Sequence, residues 1–100
     1  MDELDYDEAM AVLTGWEGRT VLVVAFMDPG VSLRPFAGRL SLRDDGHGIL
    51  RAAITPEEGA PVRIAFPSGT FHDAEWVPGL EDRGLSIEQG AIRVDVFLED

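Results

Sequence analysis

The stretch LSIEQGAIRVDVFL (85–98) holds two runs of alternating apolar and polar residues around a glycine. Period-two alternation puts every second side chain on one face of a strand. A two-residue loop at Gln89–Gly90 pairs Glu88 with Ala91, Ile87 with Ile92, Ser86 with Arg93 and Leu85 with Val94. Apolar then meets apolar on one face and polar meets polar on the other. A slip of one residue would destroy that agreement, so this stretch reads as a β-hairpin.

The same period runs back through most of the chain. RTVLVVAFM (19–27) is apolar on both faces, as in a central strand. GRLSLRDD (38–45) sets Leu40 and Leu42 against Arg39, Ser41 and Arg43. A three-residue turn at Asp45-Gly46-His47 would pair Leu42 with Leu50 and Leu40 with Ala52. ILRAAIT (49–55), VRIAF (62–66) and TFHDAEWV (70–77) continue the pattern. The prolines at 29, 35, 56, 61, 67 and 78 all fall in connections or at strand edges, where no ladder N–H is needed. Ahead of the strands, Asp5 can cap a helix, with Glu8 completing a capping box and Leu4 as a staple. Tyr6, Met10 and Leu13 follow at helical spacing, with Gly15 at the C-terminal cap, and the carboxylates from Asp2 to Glu8 suit the helix dipole. The expected architecture is mainly β: a single domain over 1–100, with a helix over about 5–14 and a β domain over about 18–99. The latter is an antiparallel small barrel or sandwich of about six to seven strands.

Composition narrows the function classes. The chain has 100 residues, 45% hydrophobic and 27% charged, the balance of a folded domain. There is no cysteine, which removes disulfides, thiolate catalysis and cysteine-bound zinc. The formal charge is −11, and all eight basic residues are arginine. That field opposes nucleic acid and anionic membranes and favours a basic partner. MDELDYDEAM (1–10) is acidic, the reverse of a targeting peptide, and the longest apolar run, VLVVAFM, is too short to span a bilayer. A cytoplasmic location is expected.

The order of a short helix, a glycine, a long apolar strand and then FAGRLSLRDDGHGILRAAI (36–54) resembles the small Sm-like barrels over roughly the first half of the chain. In those proteins a helix precedes strongly bent antiparallel strands. The resemblance implies a ring-forming barrel that binds RNA. The charge argues against RNA, and no arginine cluster falls in the expected loops.

SGTFHDAEW (68–76) is the one stretch that invites a chemical reading. A three-residue loop at Pro67-Ser68-Gly69 pairs Phe66 with Thr70, Ala65 with Phe71, Ile64 with His72, Arg63 with Asp73 and Val62 with Ala74. His72, Ala74 and Trp76 then join an apolar face, and Asp73 meets Arg63. His72 reads as a partly buried histidine beside Trp76. A ligand or catalytic role would need a bulge turning Asp73 or Glu75 toward it. His47 sits in the turn DDGHG, and zinc would require both histidines brought together. No calcium loop, Walker loop, nucleophile elbow or dinucleotide fingerprint is present, so no cofactor is implied. Phe97 alternates to the outer face of a terminal, edge-type strand, which suits a subunit contact.

The candidate binding residues are His72, Trp76 and Phe97. They support three functions of different class. The first is a non-catalytic interaction or assembly module, forming a homo-oligomer or docking on a basic protein. The second is a small-ligand or metal-dependent enzyme using His72 and nearby carboxylates. The third is an RNA binder of Sm-like type.

Overall fold

The computed structural model describes residues 3–27, 31, 32 and 34–99; Asp2 and Pro29, used above, lie outside them. In chain order the elements are β1 (Glu3–Leu4), α1 (Tyr6–Gly15), β2 (Thr20–Met27), β3 (Val31–Ser32), β4 (Phe36–Asp44), β5 (Ile49–Thr55), β6 (Val62–Pro67), a 3-10 turn (Ser68–Thr70), β7 (Phe71–Trp76), β8 (Gly84–Gln89) and β9 (Ile92–Leu98). The strands form one antiparallel sheet ordered β1-β7-β8-β9-β2-β4-β5-β6, with β3 pairing β2 off this path. The mainly β class is as expected. The strand number is higher because β1 and β3 are two residues long, too short to show a period.

Helix α1 begins as the sequence indicates. Asp5 accepts from the Glu8 N–H at 2.8 Å while Glu8 Oε1 accepts from the Asp5 N–H at 2.9 Å. It ends one residue later than expected, with Trp16 rather than Gly15 as the C-cap. Ala9, Met10, Leu13 and Trp16 join the inward residues of the strands in one buried cluster.

The sheet curls but does not close. Its edges β1 and β6 are left unpaired, and side chains span the gap. Gln89 Nε2 donates to the Ala65 carbonyl at 2.9 Å, and the Tyr6 hydroxyl donates to the Phe66 carbonyl. The Tyr6 ring also meets Phe71 edge-on at 5.6 Å. These contacts set α1 and the end of β8 across the open seam between the two edges.

Tyr6 therefore gives the seam a pH dependence. Its pKa is raised above 10.0, first by burial and further by Asp44, Asp7 and Asp45, while a backbone hydrogen bond at Leu50 acts the other way. The folded state thus favours the protonated phenol. That stabilisation is whole below pH 10.0 and is lost as pH rises through the folded value. The chain has one tyrosine and neither lysine nor cysteine, so no other side chain titrates nearby. The urea midpoint of the wild type is expected to fall from about pH 10 upward, with that of Tyr6→Phe staying flat.

Three registers differ from the sequence reading. In the β8–β9 hairpin the loop is Gly90–Ala91, giving Ile87↔Val94, Leu85↔Val96 and Glu88↔Arg93. The faces are unchanged, but the pairing moves one residue along each strand. Gly90 takes the positive φ of +56°, and Glu88 gains an oppositely charged partner. In the β4–β5 hairpin the pairs are Leu42↔Ala52 and Leu40↔Ile54, so the turn is longer than three residues. Asp44 and Asp45 shape that turn, accepting from the Gly46 and His47 N–H groups at 2.9 and 2.7 Å.

The third difference is topological. The expected β6–β7 hairpin does not form. β6 pairs β5, with Arg63 opposite Ala53, while β7 pairs β8 and β1. The 3-10 turn after Pro67 carries the chain across the open seam, and the Ser68 N–H is fixed on the Gly48 carbonyl at 2.8 Å. Alternation reveals which face a residue takes, but not which strand lies alongside.

Candidate functional site

The corrected topology changes the face of His72 and the neighbours of Trp76 and Phe97. His72 was expected on the apolar face and is instead exposed. A register shift between Phe71 and Asp73 places a bulge at His72. The extra residue lets Phe71 turn inward against Tyr6 while Ala74 keeps its fully buried place. A phenylalanine thus fills the position assigned to the imidazole, which avoids desolvating a polar ring. The bulge an enzyme would need is present, yet His72 makes no hydrogen bond or ion pair with any described residue. Among the described residues no three His, Asp or Glu side chains gather as metal ligands would.

Trp76 does lie on the inner side. It is half-buried, with its ring 6.5 Å from that of Trp16 at 47°. Its visible role is to join α1 to β7. The expected Arg63–Asp73 pair is absent: Asp73 faces Glu88 across β7–β8.

Phe97 faces outward as the alternation indicates, but β9 is not an edge strand. It lies between β8 and β2, with Phe97 opposite both Gly84 and Leu22. A Cβ on Gly84 would come within 3.1 Å of the Phe97 ring, so the glycine gives the ring its room. The ring, half-buried, belongs to an exterior apolar sector. On β2, Val21, Val23 and Ala25 point inward and are buried, leaving Leu22, Val24 and Phe26 half-buried on the outside. A cleft of about 350 Å³ opens beside Phe97, Leu22 and Leu80. Another of about 400 Å³ opens at the opposite end of the sector, beside Phe26, Met27 and Ile92. Leu80, Met27 and Ile92 are three of the four exposed large hydrophobic side chains among the described residues.

At the centre of this sector is Asp95. It lies opposite Val24 on one side and Ser86 on the other, and it is only 9% exposed although it is on the outer face. Arg93 approaches it, Nε to Oδ1, at 3.4 Å, an ion-pair distance. The geometry makes no hydrogen bond, and Oδ1 is buried without a hydrogen-bond partner. The Arg93 guanidinium instead lies over the Phe26 ring at 4.3 Å. A carboxylate walled by apolar groups and short of donors is costly, because burial removes water without a replacement. Alternation assigns Asp95 to the outer face; its burial there appears only once Val24, Phe97 and Arg93 are placed around it.

No family model, curated protein or solved structure matches the chain.

Proposed function

We propose that the chain is a non-catalytic interaction module that docks a protein partner on the exterior of β8, β9 and β2. The observation that carries this reading is Asp95, a buried carboxylate at the centre of the apolar sector whose Oδ1 has only the 3.4 Å ion-pair contact with Arg93 and no hydrogen-bond donor. The occupant that suits this surface presents an arginine or lysine among apolar side chains. Its apolar groups cover Phe97, Leu22 and Val24, and its cation completes the Asp95 carboxylate as Arg93 swings aside. The net charge of −11 favours the approach of such a partner.

The test compares wild type, Phe97→Asp and Asp95→Asn as immobilised baits in extract of the native cells. A protein retained in stoichiometric amount by wild type should fall at least about tenfold in both variants, as expected for central interface residues. Retention equal in all three, by folded baits, would contradict the reading. An enzymatic role for His72 has no comparable support in the geometry.

A further inference from the structure

The exterior of the sheet has two more sectors beside the apolar one, and their charges are opposite. On β4, β5 and β6 the outward positions include Arg39, Arg43, Arg51 and Arg63, half of the arginines in the chain. Between them lie small residues: Ser41 opposite Ala53, and Ala65 opposite Arg51. A trough of about 430 Å³ opens over this floor, walled by Arg43, Arg51 and Arg63. Among the described residues Arg51 makes one ion pair, to Asp45 at 3.6 Å. Arg39, Arg43 and Arg63 make none among the described residues.

At the far end of the strand order, the exterior of β1, β7 and β8 carries Glu3, Asp73, Glu75 and Glu88. Both sectors set like charges directly opposite one another. Arg43 faces Arg51 on β4–β5, Glu3 faces Glu75 on β1–β7, and Asp73 faces Glu88 on β7–β8. Directly opposed like charges destabilise a sheet. Each arrangement is relieved by a surface of the other sign, and this chain carries both.

We infer that the arginine sector is a docking surface for a second copy of this chain, which presents its own β1-β7-β8 acidic sector to it. The carboxylates of Glu3 and Glu75 meet the Arg43 and Arg51 guanidiniums, with the small floor allowing close approach. Arginine suits this contact because its planar fork takes a carboxylate bidentately. The overall charge of −11 does not forbid it. The screening length at about 0.1 M salt is about 10 Å. That is well under the 26 Å shortest extent of the molecule, so the facing sectors dominate the interaction.

The experiment is sedimentation velocity at a few hundred micromolar protein, in about 0.1 M and about 1 M salt, with circular dichroism confirming that each variant is folded. Wild type should sediment above the monomer at the lower salt and as monomer at the higher. Arg43→Glu/Arg51→Glu and Glu3→Arg/Glu75→Arg should each associate at least about tenfold more weakly, since each sets like charges face to face. An equimolar mixture of the two should become heavy again, because both of its contacts are complementary once more. Phe97→Asp should leave the association intact, which separates this contact from docking on the apolar sector. Wild type that remains monomeric at both salts would overturn the inference. So would association unaffected by the charge reversals, or folded variants that fail to rescue each other. A salt-sensitive shift of a short single-stranded RNA, lost in Arg43→Glu/Arg51→Glu, would also overturn it by giving the arginine sector to nucleic acid.

Discussion

Gly38→Ala is expected to destabilise the fold by about 3 kcal/mol, the upper end of the cost of overpacking. The reason is a single missing atom. Gly38 is buried in β4, opposite Val21, where the chain passes close to the end of β5. A Cβ there would overlap the Thr55 carbonyl oxygen and sit 2.8 Å from the Pro56 nitrogen. Both are backbone atoms, so no rotamer change relieves the clash. Either β4 or the Thr55–Pro56 segment must move, and β4 is paired on both sides here, with β2 and with β5. For a domain of this size the loss is a large part of the total stability. Urea unfolding followed by tryptophan fluorescence measures it directly. By contrast, an added Cβ at Gly15 meets nothing within 4 Å, so Gly15→Ala is the control that should hold stability or raise it slightly.

Phe66→Ala is expected to cost about 3–5 kcal/mol, the usual range for emptying a large buried aromatic site. Phe66 is 2% exposed and is among the largest fully buried side chains. It belongs to β6, the unpaired edge of the sheet, opposite Leu50 of β5. Its ring fills the interior while its carbonyl takes the Tyr6 hydroxyl, so one residue serves both core and seam. Removing the ring should loosen β6 from β5 and expose the seam to solvent. The expected readout is a lower urea midpoint, together with faster amide exchange in β6 than in β2 or β9. An unfolding free energy within about 1 kcal/mol of wild type would show that the core does not depend on this edge.

These two residues also show where the sequence was legible. The capping box of Asp5 and Glu8 was plain because its partners are three residues apart. The outward turn of Phe97 was equally plain, since a face depends only on local alternation. Strand neighbours were harder. VRIAF fits against ILRAAIT as well as against TFHDAEW, because all three alternate with the same period. Proximity in sequence favours a β6–β7 hairpin with Arg63 opposite Asp73. The structure places those residues in sectors of opposite charge, so the arginine surface emerges only from the β5–β6 pairing. Arg39 and Arg43 visibly share a face, but their meeting with Arg51 and Arg63 depends on the register of three strands. His72 was misplaced by a one-residue bulge, which a strict period of two cannot show. Gly38 could be recognised as a glycine within a strand, a usual mark of close backbone approach. What it approaches becomes visible only once β5 has been paired.

The central claim is that the outer face of β8, β9 and β2 is where a partner binds. Hydroxyl-radical footprinting of the wild-type chain, free and in native extract, tests it most directly. Oxidation of Phe97 and Leu80 should fall severalfold when the partner is bound, while that of the exposed His72 stays unchanged. Unaltered oxidation of Phe97 and Leu80, with protection appearing instead at His72 and Trp76, would contradict the account and return attention to the β7 bulge.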